Sequence, residues 1–347
     1  MKRLILLSAI AAAAAGCQSP ESDVSPTTLL PIRSSAVVVF TSNAWDGRPG
    51  TPREIFTLDA DGTALTRVSF CNSETQACDN VEAAPAPDAR RLAVRRVLDP
   101  QVGERIFILD TSRGVEGEIT PQVPANTAIG VAATSKTSSI DWSPTDDLLV
   151  YSGQLGDALP DLYRTIPRPD PGGAQTGPLT ATSTVREGGV RIDPTGSVAV
   201  FDRNEQGARS VIYIFFSGAN QVQVTSGGTV GGPLPGTPYV VGSDADPDYS
   251  PDGQSLVFRR LTSTGNAGRG TWDLMVVRAD GSGLAPLVTG PVYRGAPDWG
   301  SRGIVFAEID SAANVARLVV VDASGGNART LYSTNGLLEI SYPRWLR

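Results

Sequence analysis

A short unit of two strands and a turn recurs along the 347-residue chain about every 50 residues. Its clearest copy is DPDYSPDGQSLVFRR, at Asp246–Arg260. The SPDG within it predicts a type I turn, because proline presets the second position and glycine relieves the last. The other copies are APAPDARRLAVR at Ala84–Arg95, IDWSPTDDLLVY at Ile140–Tyr151, VRIDPTGSVAVF at Val190–Phe201 and PDWGSRGIVF at Pro297–Phe306. A period of this length indicates stacked supersecondary units.

Each copy is followed by further β-rich segments. The third strands are RIFILD, DLYRTI, VIYIFF, WDLMVV and RLVVVD, and turns such as Ala279-Asp280-Gly281 lead into a fourth short strand. Four antiparallel strands, repeated, are typical of a β-propeller blade. A tandem array of β-sandwiches is the alternative, but units of this size are too small for separate sandwiches.

The two ends of the repeat region are incomplete in complementary ways. AVVVFTS at Ala36–Ser42 reads as a lone second strand, and the final ISYPRWLR matches only a first strand. Pairing them would close a ring and remove exposed sheet edges. The sequence therefore predicts an all-β, six-bladed β-propeller over residues 36–347, with one blade closed by the N- and C-terminal strands.

The first residues, MKRLILLSAIAAAAAGC, carry two basic residues, an apolar run and then small residues. This pattern predicts a signal peptide over residues 1–16. Its end resembles the lipobox of bacterial lipoproteins, although Ala14 stands where leucine is usual. The resemblance implies lipidation of Cys17 and, because Gln18 follows, a bacterial outer-membrane lipoprotein facing the periplasm or the cell surface. The alternative is ordinary signal-peptidase cleavage within the alanine run.

Lipidation of Cys17 would leave two of the three cysteines, Cys71 and Cys78, in one loop. In an oxidising periplasm they could form a disulfide, and the alternative is a two-cysteine metal site with Glu74 and Asp79 nearby. Residues 17–35 show no apolar periodicity, so we expect them to form a lipidated tether.

The repeat motif, P-x-W-S-P-D-G before an apolar strand and then I-F-x-L-D-A-D-G-T, resembles the TolB-like (WD40-like, PD40) β-propeller repeat. The resemblance covers residues 36–347, is strongest in Asp246–Phe258 and Ile55–Thr63, and is degenerate around Arg191 and Trp299. It implies protein or peptide partners in the bacterial envelope, in the manner of the Tol–Pal system. The α/β domain that precedes the propeller of TolB is not expected, because the first blade strand directly follows the tether.

Composition excludes several classes of site. The chain has no histidine, which removes Ser-His-Asp triads, histidine general bases and histidine-ligated zinc. The net charge is −7 and no basic cluster occurs, so we expect no nucleic-acid partner.

The position before the aromatic residue of each first strand should recur around the central channel. We call these positions the central ring: Ala84, Asp141, Arg191, Asp248, Asp298 and Arg344. Arg191 would lie between Asp141 and Asp248, and Arg344 beside Asp298. The ring could be an ion-pair network between blades, or it could bind a peptide terminus, a sugar or a cation.

Two sets of aromatic residues have different expected roles. Trp142, Tyr249, Trp299 and Trp345 occupy equivalent positions and should pack between blades. Trp45, Tyr239 and Trp272 lie near loops and are candidates for exposed partner contacts. The long loops Phe70–Glu82, Thr120–Ser139 and Ser226–Ala245 should share one face, which would be either a binding face or a set of tolerated insertions.

These features favour a noncatalytic binding or scaffold propeller, lipid-anchored in the envelope and without a cofactor. The alternative is a carboxylate- or metal-dependent hydrolase or lactonase acting on a small or sugar-like substrate. In that case Asp141, Asp248 and Asp298 would offer calcium ligands, although the two ring arginines would repel a cation. The sequence leaves the partner's identity and the oligomeric state open.

Overall fold

The computed structural model describes residues 28–43, 52–70, 79–99, 103–118, 139–153, 160–167, 176–180, 182, 185–205, 210–216, 220–227, 239–265, 268–336 and 338–346. All regular structure in these residues is β-strand. Within them, no helix is long and apolar enough to cross a membrane.

The strands alternate with short turns along the chain. In the first half they are β1 (Thr28–Leu29), β2 (Ala36–Ser42), β3 (Glu54–Asp59), β4 (Thr66–Arg67), β5 (Ser69–Phe70), β6 (Asp79–Pro85), β7 (Arg91–Asp99), β8 (Gly103–Asp110), β9 (Val115–Glu118), β10 (Ile140–Trp142), β11 (Leu149–Gly153), β12 (Asp161–Thr165) and β13 (Thr176–Pro178). In the second half they are β14 (Val185–Ile192), β15 (Val198–Glu205), β16 (Ser210–Phe216), β17 (Asn220–Gln223), β18 (Asp244–Tyr249), β19 (Ser255–Ser263), β20 (Thr271–Arg278), β21 (Ala285–Val288), β22 (Tyr293–Arg294), β23 (Asp298–Gly300), β24 (Gly303–Asp310), β25 (Val315–Val321), β26 (Arg329–Asn335) and β27 (Ile340–Trp345).

The main sheets are antiparallel and follow the repeat. The first sheet has the order β27-β2-β3-β4, and the second to fifth sheets are β6–β9, β10–β13, β14–β17 and β18–β21. In the sixth sheet, β24, β25 and β26 follow an inner strand that is split into β22 and β23. The inner strands contact one another in the order β27, β6, β10, β14, β18 and β23, and β23 contacts β27 again. The expected all-β propeller is confirmed.

The first sheet joins strands from both ends of the repeat region. Val38 of β2 lies opposite Trp345 of β27, and Ser42 lies opposite Ile340. Trp345 and Ile340 are buried together with Val38, in the apolar cluster between the sixth and first sheets. Burial of these side chains makes the last strand part of the core.

The predicted turns form where the SPDG-like sequences occur. In the fifth sheet the Gly253 N–H donates to the Ser250 carbonyl at 2.8 Å, and Gly253 has a φ of 70°. In the fourth sheet the Gly196 N–H donates in the same way to the Asp193 carbonyl at 2.9 Å. Turn chemistry thus fixes the hairpin between the first two strands of a blade.

The N-terminal segment differs from the expected free tether. Residues Thr28–Leu29 form β1, which pairs with β5, and Leu29 is buried against the first and second sheets. The expected tether of residues 17–35 is therefore wrong from residue 28 onward, because burial of Leu29 and partial burial of Ile32 hold this segment on the propeller. Residues 1–27, including the predicted signal peptide and Cys17, lie outside the described residues.

Candidate functional site: the central ring

The six ring positions lie together on the inner strands, one residue before the position that packs between sheets. Their side chains are buried even though most of them are charged; Arg191 is 1% exposed and Arg344 is 2% exposed. Burying a charge is costly unless a partner compensates it. The partners of each ring residue therefore show what the ring does.

The three ring aspartates link neighbouring sheets. Asp141 Oδ2 accepts a hydrogen bond of 2.8 Å from the backbone N–H of Ile192 in the next sheet. In the same way Asp248 Oδ2 accepts from the Trp299 N–H at 2.5 Å, and Asp298 Oδ2 accepts from the Trp345 N–H at 2.9 Å. A hydrogen bond to a carboxylate is stronger than a neutral one. Each aspartate thus holds the inner strand of the following sheet.

Arg344 occupies the space between several carboxylates. Its Nη1 lies 3.4 Å from Asp141 Oδ1 and 3.5 Å from Asp298 Oδ1, and its Nη2 lies 2.7 Å from Glu82 Oε1. The predicted position of Arg344 beside Asp298 matches this geometry. A guanidinium is already present where a cation bridging Asp141 and Asp298 would have to bind.

Arg191 has a different partner from the one expected. Its Nη1 lies 3.8 Å from Glu82 Oε1 and donates to the Val190 carbonyl at 2.7 Å. The expected pairing with its ring neighbours Asp141 and Asp248 gives no ion pair within 4 Å among the described residues. The backbone at Val190 satisfies one side of the guanidinium, and Glu82 of the second sheet lies on another.

A second layer of charged residues lies next to the ring and was missed from the sequence. Glu82 of β6 and Asp246 of β18 stand two residues before their ring positions and are fully buried. Arg95 of β7 lies 3.8 Å from Glu82, and Arg259 Nε of β19 lies 2.5 Å from Asp246 Oδ2. The two-residue spacing from the ring was the signal that could have identified both carboxylates.

Asp248 has the most perturbed titration among the ring residues. Burial raises the pKa of its carboxyl to about 7, and repulsion by Asp298 acts in the same direction. Arg191, the hydrogen bond from the Trp299 N–H and Arg344 oppose this rise. Asp248 therefore takes up a proton much more readily than an exposed aspartate.

The candidate calcium ligands do not form a metal site. Among the residues that the structure describes, no group of three or more Asp, Glu or Cys side chains could hold a metal ion. Asp141, Asp248 and Asp298 each accept a backbone hydrogen bond, and Arg344 lies between the first and the last of them. A divalent cation needs several free oxygen ligands, and Arg344 would compete with it for those of Asp141 and Asp298.

The exposure expected for Tyr239 and Trp272 is wrong. Tyr239 is 2% exposed and Trp272 is 1% exposed, and their rings make an edge-to-face contact at 5.2 Å. Arg259 lies 4.1 Å above the Trp272 ring, and the indole N–H donates to the Arg269 carbonyl at 3.1 Å. Trp272 supports the Arg259–Asp246 pair and Tyr239 packs against Trp272, so neither ring offers a contact surface.

Some of the remaining site predictions fall on described residues and others do not. Trp142, Tyr249 and Trp345 are buried in clusters between sheets, and Trp299 is half-buried against such a cluster, as expected. Trp45, Cys71 and Cys78 lie outside the described residues, as does much of the expected long-loop face.

The sequence matches no protein-family model, and no curated protein matches it. Solved structures do resemble the fold. TolB from Acinetobacter baumannii aligns with 91% of this chain and 68% of its own at 18% identity, with a TM-score of 0.65. A putative TolB from Agrobacterium tumefaciens aligns with 89% of this chain and 97% of its own at 15% identity, with a TM-score of 0.57.

A prolyl endopeptidase structure is also similar, with a TM-score of 0.54 and 10% identity. The alignment covers 91% of this chain but 50% of the endopeptidase. Identities this low show the fold alone. Together with the ring of antiparallel sheets, these similarities show that the chain has a β-propeller fold like that of the TolB structures.

Proposed function

We propose that the chain is a noncatalytic binding or scaffold propeller of the bacterial cell envelope, with protein or peptide partners. Six blades, one of them closed by strands from both ends of the repeat region, are supported by the sheet order and by the pairing of β2 with β27. A rigid closed ring is a suitable scaffold because its loops can vary without disturbing the core.

The engagement of the ring carboxylates carries this proposal. One carboxylate oxygen of each ring aspartate (Asp141, Asp248 and Asp298) accepts a hydrogen bond from a backbone N–H of the next sheet. A catalytic carboxylate or metal ligand would need to present its oxygens to a substrate or an ion. The ring geometry instead supports a role in holding the blades in place.

The proposed location rests on the N-terminal sequence. The basic, apolar and small-residue segments before Cys17 support secretion, and the likeness of Ala14–Cys17 to a lipobox supports a lipid anchor in the outer membrane. The anchored propeller would then face the periplasm or the cell surface. The fold similarity to TolB structures is compatible with an envelope protein.

One observation favours the alternative of a hydrolase or lactonase. The pKa of about 7 for buried Asp248 is a feature found more often at functional sites than elsewhere. A calcium-dependent enzyme would need this carboxylate as a ligand. Burial of Asp248 and repulsion by Asp298 account for the same pKa without any substrate.

The test compares binding and metal dependence in one protein. We expect the lipidated chain in its own membranes to form discrete crosslinks to envelope proteins, and Cys17→Ala to leave the membrane fraction.

For the purified propeller we expect calcium to leave Tm unchanged. A calcium-induced rise of several degrees that Asp248→Ala abolishes would instead support the metal-dependent enzyme, and absence of any envelope crosslink would contradict the binding role.

A further inference from the structure

An open apolar groove lies between the third and fourth sheets, away from the central ring. It has a volume of about 290 Å³. Its walls include Leu148 and Val150 of the third sheet, Ile192 and Ala199 of the fourth, and Leu179 after β13. We call it the second groove, because the propeller repeat places an equivalent groove between the first and second sheets, which we call the first groove.

The strand registers show that the two grooves are equivalent. Val150 lies opposite ring residue Asp141, and Val39 lies opposite ring residue Arg344 in the first sheet. On the other wall, Ala199 of the fourth sheet lies opposite Ile192. Leu92 of the second sheet correspondingly lies opposite Pro85. Corresponding positions therefore face each groove from both sides.

The backbone after the outer strand is also the same in both grooves. In the first groove Val68 N–H donates to the Ile55 carbonyl at 2.8 Å, and the Ile55 N–H donates to Ser69 Oγ at 3.0 Å. In the second groove Leu179 N–H donates to the Leu162 carbonyl at 2.8 Å, and the Leu162 N–H donates to Thr180 Oγ1 at 2.8 Å. Val68 and Leu179 thus hold equivalent places.

The chain itself occupies the first groove with an extended segment. β1 pairs antiparallel with β5, and the Leu30 N–H donates to the Val68 carbonyl at 3.0 Å. Leu29 and, three residues later, Ile32 pack into the apolar cluster between the two sheets. Arg33, which follows, lies 3.7 Å from Asp59 of β3. The bound segment Leu29–Arg33 is thus defined by two aliphatic side chains, a backbone hydrogen bond and a flanking charge.

The second groove offers a similar backbone and apolar walls, but its charged wall residue lies at a different position. The Leu179 carbonyl, equivalent to that of Val68, accepts no hydrogen bond from the described residues. Ala199 stands where the first groove has Leu92, which leaves more space. On β12, exposed Arg164 lies opposite Val150, where β3 has Thr57 opposite Val39. Arg164 lines the groove and forms no ion pair within the described part of the chain.

We propose that the second groove binds an extended peptide segment of a partner protein, with aliphatic residues three positions apart and a carboxylate that pairs with Arg164. The segment would lie as Leu29–Arg33 lies in the first groove, with a backbone N–H donated to the Leu179 carbonyl. The charge after the second aliphatic residue is opposite to that of Arg33, because the charged residue on this wall is Arg164, at the position of Thr57, rather than an aspartate at the position of Asp59. This binding goes beyond the proposed function, since it needs neither the central ring nor the lipid anchor.

The test uses a fluorescent peptide with the sequence of residues 26–33 and a glutamate in place of its last arginine, PTTLLPIE. We expect saturable binding to the wild-type propeller by fluorescence anisotropy. Leu179→Asp should weaken binding at least tenfold, because it puts a carboxylate in place of an aliphatic side chain on the groove wall. Circular dichroism and Tm verify that the variant folds.

A charge reversal provides the second variant. Arg164→Glu should weaken binding of PTTLLPIE at least tenfold and improve binding of the natural sequence PTTLLPIR. Arg302→Glu, in an exposed turn of the sixth sheet, makes the same charge change elsewhere and should leave both affinities unchanged.

Three outcomes would overturn the proposal. The first is absence of saturable binding to the wild type, and the second is binding that neither variant alters. The third is tighter binding of PTTLLPIR than of PTTLLPIE by the wild type, which would assign the groove to the N-terminal segment of a second copy.

Discussion

At the scale of single residues, the buried charges of the central ring are satisfied mainly across sheet boundaries. Glu82, which is 0% exposed, pairs with Arg344, which lies 262 residues later in the chain. Asp298 binds the Trp345 N–H from the next sheet. Such pairs depend on geometry, because a buried charge without its partner is strongly destabilising. Ring residues therefore report the relative placement of the sheets.

The pH dependence of stability should reveal Asp248. Its pKa rises from an ordinary 3.8 to about 7, so between these values the folded chain holds a proton that the unfolded chain has lost. This contribution to the free energy of unfolding is present at low pH and is lost as pH rises through 7. We expect Asp248→Asn, which cannot ionise but keeps an acceptor for the Trp299 N–H, to gain at least about 1 kcal/mol relative to wild type between pH 4 and 8.

Urea unfolding of both proteins across this range measures the difference. Asp252→Asn is the control, because turn hydrogen bonds from Ser250 and the Gln254 N–H lower the pKa of Asp252. Because this shift lies below the ordinary value of 3.8, the curves of Asp252→Asn and wild type should stay nearly parallel between pH 4 and 8. Parallel curves for Asp248→Asn and wild type would refute the assignment.

At the scale of strands, register shifts in the inner strands change the direction in which individual backbone N–H groups point. The register of β14 shifts between Gly188 and Arg191, and that of β18 shifts between Ala245 and Asp248. Gly189 and Asp246 have φ values of 56° and 50°. The Asp246 N–H thereby donates to Asp202 Oδ2 at 3.0 Å, which ties the fourth and fifth sheets together. Such bulges re-aim individual groups without ending the strand.

Gly189→Ala tests the bulge. A Cβ at this position would collide with the Asp202 carboxylate, and its φ of 56° strains any residue other than glycine. We expect a loss of about 2 kcal/mol or more in the free energy of unfolding, measured with urea. Gly117→Ala is the matched control, because a Cβ there meets nothing within 4 Å. Equal effects of the two variants would argue against a role for the bulge.

At the scale of the whole molecule, the last strand completes the ring. β27 pairs with β2 and contacts β6, β23 and β24, so it joins the sixth, first and second sheets. It also supplies Arg344 to the central ring and Trp345 to the core. Without it, β2 would become an unprotected inner edge, and such edges promote aggregation.

Removal of residues 338–347 should therefore abolish cooperative unfolding and cause aggregation. Adding the peptide LEISYPRWLR in trans should restore a thermal transition whose midpoint rises with peptide concentration, because the peptide binds only the closed form. The same peptide with Trp345 and Arg344 both replaced by alanine should not restore it. Calorimetry and light scattering provide the measurements, and cooperative unfolding of the shortened chain alone would contradict a closing role for β27.

The sequence by itself determined the repeat, the SPDG-type turns, the pairing of β2 with β27 and the identity of the ring positions. The turns and ring positions follow from local turn chemistry and strand alternation, which act within a few residues, whereas the pairing of β2 with β27 follows from the complementary incomplete ends of the repeat. Tertiary structure decided the partners of Arg191, the participation of Glu82 and Asp246, and the burial of Tyr239, Trp272 and Leu29. Those outcomes depend on how neighbouring sheets pack, and that packing brings together residues from separate repeats whose distances no local pattern encodes.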